Sequence, residues 1–312
     1  MLFSAACAAP GGVSPSVSRP TATPEPSLSS SVTATLEIGR LVTSLTVGET
    51  GVWLRAESGQ IMHVDPATNS VVATIREAGF GEFGNVRLGP GAVWVTSFAN
   101  DTVYRIEPDT HEVIAEIEVG ANPEGLLVTD EAVWVANHRG GSISQIDPAS
   151  NAVVATLSFG PEGPSGPKNI VMLDGDLWTP VPNMGSVVRL DPVSGEVVKT
   201  FAFPEPLDSL VADEDTLYVF AGNGLSSIDP VTNEVTRVGD LPELLPAAFA
   251  DGAAWAITGK DLWRLDADTF APLESWRVAD RDMYFPAVAA RDGAIWVAFG
   301  DDGWLTRVEP GQ

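Results

Sequence analysis

From residue 32 onward the chain is a succession of short apolar runs rich in Val, Ile, Leu and Trp, separated by clusters of Gly, Asp, Asn and Pro. Runs this short, bounded by turn formers, predict β-strands rather than helices. The pattern also repeats. An aromatic residue within such a run appears at Trp53, Trp94, Trp134, Trp178, Tyr218, Trp255 and Trp296, at spacings of 41, 40, 44, 40, 37 and 41. A short distance after each comes an apolar residue followed by a carboxylate: Val64-Asp65, Ile106-Glu107, Ile146-Asp147, Leu190-Asp191, Ile228-Asp229, Leu265-Asp266 and Val308-Glu309. Six of these carboxylates precede Pro, and Asp266 precedes Ala267. Seven anchors imply seven units of one repeat.

Each unit reads as four strands. In the third these are Gly125 to Thr129, Ala132 to Asn137, Ser142 to Ile146 and Ala152 to Phe159, the last reached through the turn Asp147-Pro148-Ala149-Ser150-Asn151. The turn has a mechanism: Asp accepts a backbone N–H, Pro presets its φ, and Asn69, Asn151, Gly195 and Asn233 occupy a site that tolerates a left-handed backbone. Four antiparallel strands repeated in tandem, each set too small to hold a core alone, predict an all-β, seven-bladed β-propeller. The seventh unit stops after its third strand, while Val32 to Ile38 has the fourth-strand pattern and no strands before it. We therefore expect the N-terminal strand to complete the last blade and close the ring.

Composition divides the chain in two. Residues 1–31 carry only Arg19 and Glu25 among Pro, Ser, Ala and Thr, and read as a flexible tether; residues 32–312 are the propeller and hold the whole formal net charge of −25. So negative a surface repels polyphosphate, which argues against nucleic acid as a partner. No apolar run is long enough to span a membrane. The single cysteine, Cys7, follows Leu2-Phe3-Ser4-Ala5-Ala6. That run resembles the end of a bacterial lipoprotein signal peptide, which implies lipidation at Cys7 as the chain's sole attachment to a membrane, although the basic and apolar regions of such a peptide are missing ahead of it.

The units Ala-Val-Trp-Val-Ala-Asn (132–137), Ser-Ile-Ser-Gln-Ile-Asp-Pro (142–148) and Val-Ile-Ala-Glu-Ile-Glu-Val-Gly (113–120), with Asn122-Pro123-Glu124-Gly125, resemble those of the YncE-like, or YVTN-repeat, propellers over nearly all of residues 32–312. The resemblance implies the fold and an extracytoplasmic location, and says little of activity. Streptogramin B lyases are related propellers that use His and Glu residues of later blades, with magnesium, to open a cyclic depsipeptide. Here the histidines are His63, His111 and His138, so nothing after residue 138 supplies that imidazole.

In such blades the first and third turns fall on one face of the ring. These are short, uniform and acidic, and read as solvated turn carboxylates. The opposite face varies, with long crossovers at Arg76 to Asn85, Gly160 to Asn169 and Ala279 to Pro286, the last carrying Tyr284 and Phe285. Variable loops on one face are where a repeat protein binds. Aligning the first strands places Asn85, Glu124, Lys168, Asn169 and Asp208 around the channel mouth, with Arg55, Phe98 and His138 on the same rim. These eight are the candidate ligand-binding residues. His63 reads as an ordinary polar strand position and His111 as a turn residue taking the place of Asn or Gly. No catalytic constellation, metal set or cofactor motif is present in the sequence. The expected function is a monomeric, extracytoplasmic binding or sensing module for a small molecule, peptide or envelope protein. The alternatives are a small-molecule lyase or hydrolase on the variable face, or a structural envelope scaffold.

Overall fold

A computed structural model describes residues 31–39, 41–56, 59–77, 79–81, 83–160, 162–163, 166–222, 224–240, 245–279, 287–299 and 303–310. Cys7 with the tether up to residue 30, and Tyr284 and Phe285, lie outside the described residues. Among the described residues, 28 strands form seven four-stranded antiparallel sheets. Six blades use four consecutive strands each. In the third these are Pro123–Val128, Val133–Asn137, Ser142–Asp147 and Ala152–Ser158, within two residues of the expected bounds. The seventh blade is composite: Ala287–Arg291, Ala294–Phe299 and Trp304–Glu309 are completed by Ser31–Glu37. The two termini pair directly, Glu37 opposite Trp304 and Ser31 opposite Glu309.

The core lies between blades. Trp53, Ile61 and Ile75 of blade one pack on Phe80 and on Val86, Val93, Val95 and Ile106 of blade two, and Trp296 and Leu305 of blade seven pack on Val42, Val52 and Leu54 of blade one. All seven aromatic anchors are buried.

Each anchor sits on the second strand of its blade, directly across from one position of the third: Trp53 from His63, Trp94 from Arg105, Trp134 from Gln145, Trp178 from Arg189, Tyr218 from Ser227, Trp255 from Arg264 and Trp296 from Arg307. At three junctions this column does the same work. The guanidiniums of Arg105, Arg189 and Arg307 lie 5.1, 4.9 and 5.4 Å from the ring centres of Trp94, Trp178 and Trp296. Each then reaches the carboxylate-Pro turn of the next blade. Arg105 donates to Pro148 O and Asn151 Oδ1, Arg189 to Pro230 O and Asn233 Oδ1, and Arg307 to Pro66 O and Asn69 Oδ1. The third of these clasps joins blade seven to blade one, so it closes the ring beside the shared strand.

Two junctions use other chemistry. Between blades five and six, Tyr218 donates its hydroxyl to Ala267 O at 3.2 Å and meets Phe270 edge-on at 4.9 Å. Phe270 takes the left-handed turn site at φ 54°. A bulky side chain is strained there, and its burial against Tyr218 and Phe249 compensates. Between blades one and two, His63 stacks on Trp53 and meets His111.

The outer strands explain the exposed aliphatic residues. Pairing of the third and fourth strands shifts register beside the clasp column, leaving one extra residue on the outer strand. In five blades this residue is Val72, Ile114, Val154, Val198 or Leu273, each exposed. A bulge twists the strand and interrupts its ladder, which blunts the edge against pairing with another sheet.

Deleting residues 31–39 should lower the melting temperature of the whole propeller in calorimetry; an unchanged value would contradict closure by the shared strand. Arg189→Met keeps the stem and removes the cation and its donors, and should cost about 2–4 kcal/mol in urea unfolding.

Candidate functional site

On the uniform face, five turns are built on a carboxylate that serves the turn itself. Asp65, Asp147, Asp191 and Asp229 each accept the backbone N–H two residues on, at 2.7–2.9 Å. Asp65 and Asp147 also accept from the hydroxyls of Thr68 and Ser150, and Asp266 accepts from both the amide and the hydroxyl of Thr269. Hydrogen bonds to the charged form hold all five below the ordinary aspartate value. The left-handed site is occupied as expected by Asn69, His111, Asn151, Gly195 and Asn233.

On the variable face the crossover from blade one to blade two folds inward on Arg55. This side chain is fully buried. It donates to Thr96 O at 2.9 Å, Gly81 O at 3.1 Å, Phe83 O at 3.0 Å and also Phe80 O. Burial lowers its pKa to about 10, so it stays charged at neutral pH. Arg55 therefore fastens the crossover from beneath and does not face the rim. The crossover fits closely: a Cβ on Gly84 would lie 2.2 Å from Thr96 O, and φ there is 146°. Phe80 is driven into the core against Tyr104, whereas Phe83 is left exposed.

Phe83 stands over a cavity of about 610 Å3. Leu41, Val42 and Thr43 of blade one, Phe83, Gly84, Asn85 and Phe98 of blade two, and Glu124 of blade three line it. Its floor is tied by a chain of hydrogen bonds across the inner strands. Ser44 Oγ donates to Asn85 Oδ1 at 3.1 Å, and Asn85 Nδ2 donates to Glu124 O at 2.7 Å. Gly125 continues the contact to blade four, where a Cβ would lie 2.3 Å from Lys168 O. Asn169 Nδ2 then donates to Leu210 O of blade five at 2.6 Å. The aligned first-strand positions are thus neighbours over five blades.

At the cavity edge Glu124 Oε2 lies 3.4 Å from His138 Nδ1. The His138 ring in turn is 6.1 Å from that of Phe98. Burial raises the Glu124 pKa, against the opposing pull of His138 and Lys168. The site therefore offers apolar walls and one carboxyl group that keeps its proton more readily than an exposed glutamate.

Of the eight candidates, Asn85, Phe98 and Glu124 line the cavity, His138 contacts Glu124, and Lys168 acts on Glu124 through its charge. Asn169 joins blades four and five, Asp208 is exposed on blade five away from the cavity lining, and Arg55 lies below the crossover. The walls Leu41, Val42 and Phe83 were not singled out in the sequence; two Phe residues among the glycines of one crossover were the available signal. Among the described residues no group of three or more His, Cys, Asp or Glu is placed to hold a metal ion.

No family model and no curated protein sequence matches the chain. Solved structures do match. Virginiamycin B lyase from Staphylococcus aureus superposes with a TM-score of 0.74 at 17% identity, covering 88% of this chain and 98% of that one. A streptogramin B lyase gives 0.73 at 16%, covering 88% and 96%, and a chain of Kuenenia stuttgartiensis hydrazine synthase 0.75 at 15%, covering 88% and 97%. At such identities the likeness is one of fold, and it is shared by proteins of unlike chemistry.

Arg55→Met should cost about 3 kcal/mol in urea unfolding, because four carbonyls each lose a charged donor. Acid titration should retain the contribution of the Asp turns above the ordinary aspartate value of 3.8 and lose it as pH falls below. Asp191→Ala should weaken that acid dependence.

Proposed function

We propose that the protein is an extracytoplasmic binding propeller of the YncE-like kind, anchored through lipidated Cys7, whose cavity over blades one to three takes a small molecule or peptide end. The observation that carries this reading is the cavity itself, about 610 Å3, walled by Leu41, Val42, Phe83 and Phe98 and edged by Glu124. Its volume falls within the roughly 300–1,000 Å3 of small-molecule sites, and apolar walls with a few placed polar groups are their usual composition. Apolar burial supplies affinity and Glu124 supplies orientation. A ligand with an apolar body and an amine head suits both: the carboxylate accepts its N–H groups, and the net charge of −25 draws cations and repels anions.

Phenethylamine and phenylpropionate are matched probes for this chemistry. Saturation-transfer NMR should show the amine bound and the acid not. Phe98→Ala should weaken the amine about tenfold through lost apolar contact, and Glu124→Gln should remove the preference for the amine. Equal binding of both probes to the parent and to Phe98→Ala would refute the reading.

The contact between Glu124 and His138 supports a second reading, in which a carboxyl and an imidazole at one cavity edge exchange protons with a substrate. One neighbouring structure is a catalytically inactive virginiamycin B lyase with quinupristin, which makes quinupristin the probe. Unchanged chromatographic retention after incubation supports binding without turnover. A new product that disappears with His138→Ala would replace it with catalysis.

A further inference from the structure

His63 and His111 lie away from the cavity, on the junction between blades one and two, and the binding reading makes no use of them. The equivalent positions at three other junctions hold an arginine and the left-handed asparagine of the next blade's turn: Arg105 with Asn151, Arg189 with Asn233, and Arg307 with Asn69. Here both members are histidine. The His63 ring stacks on Trp53 with centroids 4.2 Å apart and planes 8° from parallel, in the place over the tryptophan that the guanidiniums take at their own junctions. His63 Nδ1 is 2.9 Å from His111 Nε2, and His63 Nε2 is 2.6 Å from Thr50 O.

The carbonyl fixes the tautomers. Thr50 O can only accept, so His63 Nε2 carries hydrogen and donates to it. His63 Nδ1 is then the acceptor, and His111 Nε2–H donates across the junction. With both rings neutral this bond is complete. One added proton can be shared between the two facing nitrogens; a second makes both of them donors and places two positive charges against each other. Arginine and asparagine do not titrate in this range, so the other three clasps are indifferent to the same change.

We propose that the His63–His111 pair is a pH-sensitive joint, a clasp between blades one and two that holds at neutral pH and releases on mild acidification while the arginine clasps hold. The groups around it are few. Thr50 faces it from the first turn of blade one, Trp53 from the second strand, and Asp65 from the end of the strand that carries His63; the turn that carries His111 also holds Glu107, Asp109 and Glu112. Burial, followed by the charge of His111, holds His63 below its ordinary value of 6.5, against the opposing pull of the Thr50 carbonyl and Asp65. The folded protein thus takes up this proton less readily than the unfolded chain. The joint's contribution is complete above pH 6.5 and is lost as pH falls below it.

Blades one and two also supply seven of the eight residues lining the cavity, so release of the joint loosens the wall against which a ligand rests. That consequence depends on the binding reading, whereas the joint does not, and the experiment is read on the joint alone. With three histidines in the chain, an imidazole proton–carbon NMR titration of the full protein resolves each ring. The third resonance is assigned to His138 by its loss in His138→Ala. His63 and His111 should titrate as a coupled pair, with the His63 midpoint below 6.5; independent midpoints near 6.5 for both would overturn the proposal. In parallel, the Tm of the parent should fall by about 2–4 °C between pH 7 and pH 5.5. The double variant His63→Arg with His111→Asn rebuilds the clasp of the other junctions and should lose most of that fall. An equal fall in a folded double variant would also overturn it. Should that variant fail to fold, the titration of the parent decides alone.

Discussion

The ring depends on how one blade holds the next. Within a blade, antiparallel ladders satisfy the backbone, but a four-stranded sheet has two apolar faces and no core of its own. The core exists only where blades meet, and an apolar contact alone leaves their angle and stagger loosely set. The stacked cation adds direction. An arginine laid over the tryptophan of its own blade presents its donors to one carbonyl and one asparagine of the next, fixing the neighbour at two points. The same device at the junction of blades seven and one makes closure the repetition of an ordinary contact, with the shared strand as an added seal.

That device also shows where the sequence could be read and where it could not. The seven anchors, the carboxylate-Pro turns and the composite last blade were legible because each is local: a strand run, a turn signature and a missing strand are visible within one unit. The clasp joins a strand of one unit to the turn of the following one, some forty residues away, and a column containing Arg, His, Gln and Ser looks like ordinary polar alternation. For the same reason His63 and His111 were each read correctly as a strand and a turn residue while their contact went unseen. Phe270 at a left-handed position was similarly hidden, since its warrant is the aromatic cluster with Tyr218 and Phe249.

The candidate site was legible in part on the same terms. Alignment of the repeats placed Asn85, Glu124, Lys168 and Asn169 on one circle, and contacts at the start of the inner strands do run through them in that order. What alignment lacks is direction. It could not tell that Arg55 turns inward to hold a loop, that Asn169 is spent on its neighbour, or that Phe80 enters the core while Phe83 remains outside. Those outcomes are decided by where an irregular crossover finds partners for its carbonyls, and Arg55 is that partner.

The two faces consequently answer different demands. On the uniform face five carboxylates are taken up by their own turns, so that part of the charge there is a by-product of building similar corners. On the variable face the long crossover from blade one to blade two departs from the repeat, and this departure opens the cavity, because a loop held by one buried cation beneath need not pack flat on top. The two blades that supply most of the cavity lining are also those joined by histidines in place of arginine and asparagine. A departure from the repeat on one face is thus matched by a departure on the other, across the same two blades.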